Sequence, residues 1–415
     1  MTPSFCARLF HRALATLLAA SCLSALAGPK AYVGNFKDAT VSVVDTAVPK
    51  VIATIPVAEG PHGMLLSPDG RTLYVSGDAS SLVSVVDTAT DRVARTLTVG
   101  RSPHGLAQSP DGRRLLVAIY GEDRVAVIDT DSGREVGSVP VGKPHTIAMR
   151  PDGARAYVAS QLPGHFGLAV IDMATLKTVH EMPLDKPPRD LEFAFDGRAL
   201  YFTVAGENAV QVLDPRSDTI TARVPTGASP HIANLFRGAS AGTVVVQGPG
   251  ELTLFDPGTH AVLRSIPVGR QPHWVAAAAG GATLFVTNEG SNDLSIVDVA
   301  AGTTRSVAVG QAPRKVVVQQ QTVVGSHSGA RVSFANFAFA PAEIVIDAGQ
   351  QVEWSNDDGA PHGLAFRDGA PGTDLLLPGA RFARSFAQPG SFDYVCSVHP
   401  YMSARITVRP RRVLD

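Results

Sequence analysis

Length, composition and charge already limit what this chain can be. It has 415 residues, of which 45% are hydrophobic and 39 are glycine, so it can form one large and one small domain or an array of repeats. The 36 lysines and arginines nearly balance the 37 aspartates and glutamates, and no basic block is long enough for a nucleic-acid surface. We therefore expect no nucleic acid among its partners.

The N-terminus has the pattern of an export signal. Arg8 and Arg12 precede an apolar run at residues 13–27 that ends in the small-x-small cleavage motif Ala-Leu-Ala. The run is about fifteen residues long, which is shorter than the roughly twenty that a membrane-spanning helix needs. We expect cleavage near Ala27, a mature chain without a transmembrane segment, and a periplasmic or secreted location.

Export also changes the cysteine count. Removal of a signal peptide at residues 1–27 takes away Cys6 and Cys22, so the mature chain keeps Cys396 alone and cannot form an internal disulfide. A lipoprotein acylated at Cys22 is the less favoured alternative. In either case the thiol of Cys396 needs an explanation other than a structural disulfide.

A repeat of 41 to 44 residues occupies most of the chain. Seven segments share an opening proline followed by histidine or arginine, and most continue into an apolar run. They start near residues 60, 102, 143, 187, 229, 271 and 312. A period of this length is typical of repeat folds, so it decides the fold class.

Each repeat contains short apolar runs separated by turns. The runs are rich in β-branched residues and are bounded by Pro-Asp-Gly or Asp-Thr turns, which indicates strands. Four strands per period make one blade of a β-propeller. The last repeat has one clear strand, and residues 31–57 supply the three that are missing, so both termini share one blade and close the ring. We predict an all-β fold with a seven-bladed propeller at residues 28–324.

The repeats resemble the YVTN family of bacterial β-propellers. The resemblance is carried by "SPDG" at 67–70 and 109–112, by "YVSG" at 74–77 and by "FVTN" at 285–288. It covers about seven tenths of the chain and implies the fold rather than an activity, because this scaffold serves many functions.

One repeat position, directly after the opening proline, lies on the strand expected to line the propeller channel. These seven positions, called the channel ring below, are His62, His104, His145, Arg189, His231, His273 and Arg314. Equivalent positions converge near one mouth of the channel, and imidazoles suit a second metal ion such as copper or zinc. The two guanidiniums favour a small anion or another small molecule instead. In a third interpretation the histidines bond to neighbouring backbone and have a structural role only.

The repeat ends at about residue 324, and composition changes after it. Residues 325–330 contain glycine and serine and are predicted to be a short flexible linker. Residues 331–415 contain five runs in which apolar and polar residues alternate between turns. This pattern predicts a second, smaller domain that is an all-β sandwich.

Four residues of this domain have the chemistry of a copper site. His362 precedes Cys396 by 34 residues. The motif Cys-x-x-His-x-x-Met then places His399 and Met402 in the loop between the last two predicted strands. One thiolate, two imidazoles and a thioether are the ligands of a blue-copper site, with a trigonal His2Cys plane and a weak axial methionine. Each residue alone has ordinary structural explanations, but their joint occurrence predicts one type 1 copper per chain.

The two sequence stretches that carry these residues resemble a known family. "FAPAEIVIDAGQQVEWSNDDGAPHGLAF" and "FAQPGSFDYVCSVHPYM" are similar to cupredoxins of the amicyanin type within the plastocyanin family. The resemblance implies a cupredoxin fold and the copper ligands His362, Cys396, His399 and Met402.

The sequence departs from that family pattern at two positions. Gly363 follows the first histidine, where members usually have an asparagine that ties the two ligand loops together. Val398 replaces a proline often found before the second histidine. We expect these changes to affect the reduction potential and the rigidity of the site more than copper binding.

Two functions follow from this organisation. In the first, the protein is a periplasmic one-electron carrier that serves a c-type cytochrome or a periplasmic dehydrogenase, and the propeller is a docking or ligand-binding platform. His399 would be the electron port, within an apolar patch that includes Pro400 and Tyr401. In the second, the protein is an oxidoreductase whose channel ring binds a metal or substrate and passes electrons to the copper. The propeller sequence has no recognisable catalytic triad or paired carboxylates, which favours the carrier.

Overall fold

The computed structural model describes residues 29–236, 239–278, 280–319, 330–370 and 372–410. Within these residues the fold is all-β, with 37 strands and one short 3₁₀ turn at Tyr120–Glu122. The strands form seven four-stranded sheets followed by two sheets of a sandwich, so the predicted fold class is confirmed. The predicted signal peptide, its cleavage site, the Cys22 alternative and nearly all of the predicted linker lie outside the described residues.

The seven propeller sheets each contain four antiparallel strands. Their strands are β1 Lys30–Asn35, β2 Thr40–Asp45, β3 Lys50–Pro56, β4 Pro61–Leu66, β5 Thr72–Gly77, β6 Leu82–Asp87, β7 Arg92–Thr98, β8 Pro103–Gln108, β9 Arg114–Ile119, β10 Arg124–Asp129, β11 Glu135–Pro140, β12 Pro144–Met149, β13 Arg155–Leu162, β14 His165–Asp172, β15 Lys177–Pro183, β16 Pro188–Phe193, β17 Leu200–Val204, β18 Ala209–Asp214, β19 Thr219–Pro225, β20 Pro230–Asn234, β21 Gly242–Val246, β22 Glu251–Phe255, β23 Val262–Pro267, β24 Pro272–Ala277, β25 Thr283–Asn288, β26 Asp293–Asp298, β27 Thr303–Ala308 and β28 Pro313–Val318.

The closure predicted from the sequence is present. Strand β28 pairs with β1, so the last and first repeats share the sheet β28-β1-β2-β3. Seven strands begin with the opening prolines, and each contacts the next one around the ring: β4, β8, β12, β16, β20, β24 and β28. They are therefore the inner strands and line the channel, and the closed ring leaves no sheet edge between first and last blades.

The propeller strands are buried on both faces, which explains why their sequences are nearly continuous apolar runs. In β5, five of the six residues are buried, because neighbouring blades pack face to face. Seven aspartates end or directly follow the third strand of each blade and form turns, each with a side chain that accepts an amide hydrogen bond from a residue two or three positions later. They are Asp45, Asp87, Asp129, Asp172, Asp214, Asp256 and Asp298.

The C-terminal domain is a sandwich of two sheets with the orders β30-β29-β32-β35 and β31-β37-β36-β33-β34. Its strands are β29 Ala330–Ala335, β30 Ala338–Ala340, β31 Glu343–Asp347, β32 Gln351–Asn356, β33 His362–Phe366, β34 Thr373–Leu376, β35 Arg381–Ser385, β36 Gly390–Val395 and β37 Ser403–Arg409. Alternate residues of β31 and β32 are buried, as expected for sheets with one solvated face. Trp354, Tyr394 and Phe334 are fully buried at the centre of the core.

The channel ring and the second domain lie at opposite ends of the inner strands. Ring residues occupy the second position of each inner strand, whereas the Ser-Pro-Asp-Gly turns follow its last residue. Arg71, directly after one such turn, forms an ion pair of 3.2 Å with Glu343 of the C-terminal domain. Six-residue strands are about 20 Å long, so this contact is roughly that far from the ring.

Among the described residues, no helix is long and apolar enough to cross a membrane.

Candidate metal centre

The predicted copper ligands lie at one end of the sandwich. His362 is the first residue of β33, and the loop 396–402 joins β36 to β37. Two backbone hydrogen bonds close this loop, from the Cys396 amide to the Met402 carbonyl at 3.0 Å and from the Met402 amide to the His399 carbonyl at 2.9 Å. The short spacing of the motif thus forms a tight turn that directs Cys396 and His399 toward the same point.

Three of the four predicted residues bring their ligand atoms together. The Cys396 Sγ lies 3.6 Å from the His362 Nδ1 and 3.7 Å from the His399 Nδ1, and the two nitrogens are 3.3 Å apart. A trigonal metal with bonds of about 2.0 Å to nitrogen and about 2.3 Å to sulfur would space these atoms about 3.5 to 3.8 Å apart. The donor set and its spacing therefore fit a copper ion in a His2Cys plane.

Met402 is the fourth predicted ligand and lies in the same core. It is 3% exposed and belongs to the buried cluster that also contains Cys396. Phe334 stacks on the ring of His362 at 5.1 Å, and Phe337 meets the His399 ring edge-on at 4.9 Å. These aromatic rings exclude water from the inner side of the site and hold both imidazoles in place.

The groups around the Cys396 sulfur favour its thiolate form. Burial alone would raise its pKa, but the contact with His362 and hydrogen bonds from the amides of Gly363, His399 and Val398 lower it. The Gly363 amide lies 3.5 Å from Sγ and the His399 amide 3.3 Å from it. Deprotonation is required before a thiol can bind a metal, so this environment favours binding.

At both departures from the family pattern a backbone amide donates to the thiolate. The Gly363 amide, which an asparagine at this position would also have, links the two ligand loops because it donates to the Cys396 sulfur. Val398 has an amide hydrogen, which a proline would lack, and that amide is another donor to the thiolate. Hydrogen bonds to the sulfur of such a site tune its reduction potential.

Asp358 is a site residue that sequence reasoning missed. Its Oδ2 lies 2.7 Å from the His362 Nε2, so the nitrogen on the far side of the ring carries the hydrogen and Nδ1 keeps its lone pair. The carboxylate also accepts the Phe337 amide at 2.8 Å and the Asn336 amide. Burial alone would lower the pKa of His362, but its contacts with Cys396 and Asp358 raise it. The four-residue spacing of Asp358 and His362 was the available signal.

Comparisons with known proteins agree with this geometry. A model described as YNCE-like beta-propeller matches residues 11–114, and one described as copper binding proteins, plastocyanin/azurin family, matches residues 328–409. Amicyanin-alpha of Methylorubrum extorquens is 32% identical over 83 residues, which are 19% of this chain and 69% of that protein. The chain belongs to the plastocyanin/azurin family through its C-terminal domain. That domain is a cupredoxin.

Two further similarities cover the two domains separately. Amicyanin of Paracoccus versutus is 32% identical to the cupredoxin domain over 82 residues, 19% of this chain and 62% of that protein. The chain spans about two thirds of the length of the amicyanins it matches. A chain of Kuenenia stuttgartiensis hydrazine synthase matches with a TM-score of 0.60 at 21% identity, over 69% of this chain and 99% of that one. The similarity to the hydrazine synthase chain shows only that the two proteins share the propeller fold.

The five histidines of the channel ring also lie close together, but their ligand atoms are not gathered around one point. Neighbouring imidazole centroids are 3.7 Å apart for His62 and His104, 4.0 Å for His104 and His145, and 4.0 Å for His231 and His273. In the described part of the chain, the only group of three or more ligand residues with all ligand atoms within 4.8 Å is His362, Cys396 and His399. The ring is therefore a cluster of imidazoles without an assembled metal shell.

The two arginines of the ring have other partners. The Arg314 guanidinium lies 3.6 Å over the Phe36 ring and 3.3 Å from Glu289. Arg189 donates to the Ser229 hydroxyl at 3.3 Å. Arg314 is thus paired with a carboxylate, whereas the neutral Ser229 hydroxyl leaves the charge of Arg189 in place, and the anion site that the sequence suggested stays a prediction.

Proposed function

We propose that this protein is a periplasmic one-electron carrier with a type 1 copper bound by His362, Cys396, His399 and Met402. The observation that carries the proposal is the trigonal arrangement of two Nδ1 atoms and one sulfur at 3.3 to 3.7 Å. Copper in such a ligand set supplies reversible one-electron chemistry. Membership of a copper-binding family supports the choice of metal.

The protein's part in this function is to hold the ligand atoms in one arrangement for both oxidation states. Loop 396–402 is closed by its own backbone hydrogen bonds, and Cys396 accepts further bonds from amides. Asp358 fixes the ring of His362 from behind. A site that does not rearrange on electron transfer has a small reorganisation energy, because its dipoles are already oriented.

His399 is the ligand best placed to exchange electrons with a partner. It is half-buried at the surface, whereas His362 and Cys396 are both 0% exposed. Leu375, Leu377 and Val398 are among the most exposed large apolar residues of the chain, at 55%, 56% and 43%. Leu375 and Leu377 flank Leu376, which pairs with His362, and Val398 and Pro400 flank His399, so we infer an apolar rim around the two histidines.

Such a rim suits brief docking of a redox protein, with the propeller as an additional docking or ligand-binding platform. The partner we propose is a c-type cytochrome or a periplasmic dehydrogenase. Periplasmic location is supported by the export pattern of the N-terminal sequence. The amicyanin relatives support a soluble redox role for the cupredoxin domain.

The position of the channel ring favours the carrier over the oxidoreductase. The contact between Arg71 and Glu343 is at the turn end of the inner strands, whereas the ring is at their start. Electrons from a substrate in the ring would have to cross about 20 Å of propeller before reaching the cupredoxin domain.

The test is copper content and the visible spectrum of the purified, copper-loaded full chain and of Cys396→Ser. We expect one copper per wild-type chain, an intense thiolate-to-copper absorption band and a reversible one-electron wave in voltammetry. The variant should lose the band and the wave. A wild type that binds copper without the band would contradict a type 1 site, and a wave that persists in Cys396→Ser would contradict this location.

A further inference from the structure

Strand β32 ends in a polar residue that lies in the core of the cupredoxin domain. The inward-facing residues of this strand are Val352, Trp354 and Asn356, and each of the three is 0% exposed. A buried side-chain amide is unfavourable unless its N–H and C=O groups are hydrogen-bonded. The partners of Asn356 therefore show which parts of the domain it serves.

The Asn356 side chain uses both ends of its amide. Its Nδ2 donates to the Ala360 carbonyl at 2.9 Å and to the Leu376 carbonyl at 2.7 Å. Its Oδ1 accepts the Asp358 amide at 3.0 Å. A carbonyl only accepts and a backbone amide only donates, so these partners fix which atom of the side chain is the nitrogen. One side chain thus binds three backbone groups on two separate segments.

The first segment is the turn at residues 357–361, which leads into the ligand His362. Asn356 binds this turn at two points, the Asp358 amide and the Ala360 carbonyl. The Asp358 carboxylate lies 2.7 Å from the His362 Nε2, on the side of the ring away from the copper ligand atom Nδ1. The turn contains no strand or helix, so its shape depends on bonds such as those of Asn356.

The second segment is the end of β34 and the loop after it. Leu376 of β34 pairs with His362 and has its carbonyl bound by Asn356. The Asn356 backbone binds the following loop, because its amide donates to the Ala380 carbonyl at 2.9 Å and its carbonyl accepts the Gly379 amide at 2.7 Å. This segment carries part of the apolar rim. Asn356 therefore connects the turn before His362 to the rim.

We propose that Asn356 is a positioning residue for the copper centre. It fixes the turn that carries Asp358, and through Asp358 it sets the orientation of the His362 ring. Outer partners of a metal-binding histidine fix its tautomer and its ring orientation. This inference rests on the copper function proposed above and deepens it, because it identifies a residue outside the ligand set on which the ligand geometry depends.

The proposal also gives the rim a fixed position relative to the copper ligand. The same amide group binds the turn before His362 and the β34 carbonyl of Leu376. A fully bonded buried amide is costly to break, because each lost bond leaves a polar group without a partner. The surface that a redox partner contacts and the imidazole that binds copper are thus held as one unit.

The first test uses the metal-free full chain with ¹⁵N-labelled histidine. The proton resonance on the His362 Nε2, identified by its loss in Asp358→Ala, should exchange slowly with water in the wild type. In Asn356→Leu, which has a similar volume but no amide, we expect exchange to be about 10-fold faster, the factor expected for loss of one hydrogen bond.

A matched control exists in the propeller. Asn288 of β25 is also 0% exposed, and its side chain accepts the Gly269 amide at 3.1 Å and donates to the Ser295 hydroxyl at 2.9 Å. Asn288→Leu therefore removes a buried, bonded amide far from the copper ligands. It should lower thermal stability but leave the exchange rate of the His362 proton unchanged.

The second test measures the reduction potential of the copper-loaded chain by voltammetry. Asn356→Leu should shift the potential in the same direction as Asp358→Asn. The double variant should shift it by less than the sum of the single shifts, because both changes act through one hydrogen bond. Copper affinity should fall about 10-fold, as is typical for loss of an outer partner. A purely structural role would lower the melting temperature and leave the potential unchanged.

The proposal is overturned by unchanged proton exchange in folded Asn356→Leu, by equally fast exchange in Asn288→Leu, or by additive shifts of the potential. If Asn356→Leu does not fold, Asn356→Ser, which keeps one hydroxyl donor, replaces it and should give smaller changes of the same sign. No change in Asn356→Ser would also overturn the proposal. Because the exchange measurement needs no copper, it decides the role of Asn356 even if the wild type lacks the thiolate band and the copper function fails.

Discussion

The copper centre and the channel ring are both buried clusters of histidines, but they use opposite nitrogens. In the cupredoxin, the His362 Nε2 is held by Asp358, and the Nδ1 atoms of His362 and His399 face the thiolate. In the ring, the Nδ1 atoms of His104 and His145 are already bonded to the carbonyls of the next blade. The nitrogen that the fold engages therefore decides where the remaining lone pair points.

The two clusters also differ in the distances between their candidate ligand atoms. The cupredoxin brings two nitrogens and a sulfur within 3.7 Å, because a seven-residue loop closed by hydrogen bonds supplies two of the three. Ring histidines come from separate blades, and the strand spacing sets their distances. His62 and His145, on blades two steps apart, are 6.1 Å apart between ring centroids. Convergence of histidines is thus not sufficient for a metal site.

The largest expected difference between the two clusters is in copper binding after one histidine of each is replaced. His362→Ala should lose the thiolate band and weaken copper binding by more than the roughly 10- to 100-fold typical for loss of an outer partner. His104→Ala, the matched change in the ring, should keep one copper per chain and an unchanged band. Copper content after desalting and visible absorbance measure both. If His104→Ala lost half of the bound copper, the comparison would be wrong.

The sequence predicted much of this organisation because its signals are local. The period of the Pro-His segments set the blade number, and Cys396, His399 and Met402 lie within seven residues of one another. Local backbone geometry then brings such residues together without information from elsewhere in the chain. His362 was found through the resemblance of its flanking residues to a known family.

What the sequence did not predict depends on contacts between distant segments. Asp358 became part of the site because β29, β32 and β33 meet around it, and its four-residue spacing from His362 is its only local sign in the sequence. The Arg314 guanidinium lies over the Phe36 ring, although the two residues are 278 positions apart in the sequence.

A smaller effect should separate the stability of the two domains. Gly63→Ala forces a Cβ to within 2.2 Å of the His104 carbonyl and 2.8 Å of the Ser76 hydroxyl. We expect a loss of about 1–3 kcal/mol in the free energy of unfolding of the propeller, as for overpacked cores. Gly258→Ala, in an exposed turn with no contact closer than 3.4 Å, is the control and should change little. Thermal unfolding by circular dichroism measures the loss.

The copper band should remain in folded Gly63→Ala, because the two clusters share no residue. A band lost together with propeller stability would mean that the domains unfold as one cooperative unit. The comparison between an independent copper centre and an independent ring would then fail. Equal stability of Gly63→Ala and wild type would instead show that the inner strands move apart easily, and the stacking of ring histidines would not depend on that glycine.

The smallest effect concerns Asp358, the residue that gives His362 its orientation. Asp358→Asn keeps a side chain that can accept from Nε2 but removes a negative charge beside the copper ligand. A negative charge stabilises the oxidised, more positive copper, so its removal should raise the reduction potential, on the order of 50 mV for a screened charge at this distance. Voltammetry measures the shift, and Glu353→Gln, at the partly exposed Glu353 of β32, is the charge control. An unchanged potential together with weaker copper binding would assign Asp358 a purely geometric role.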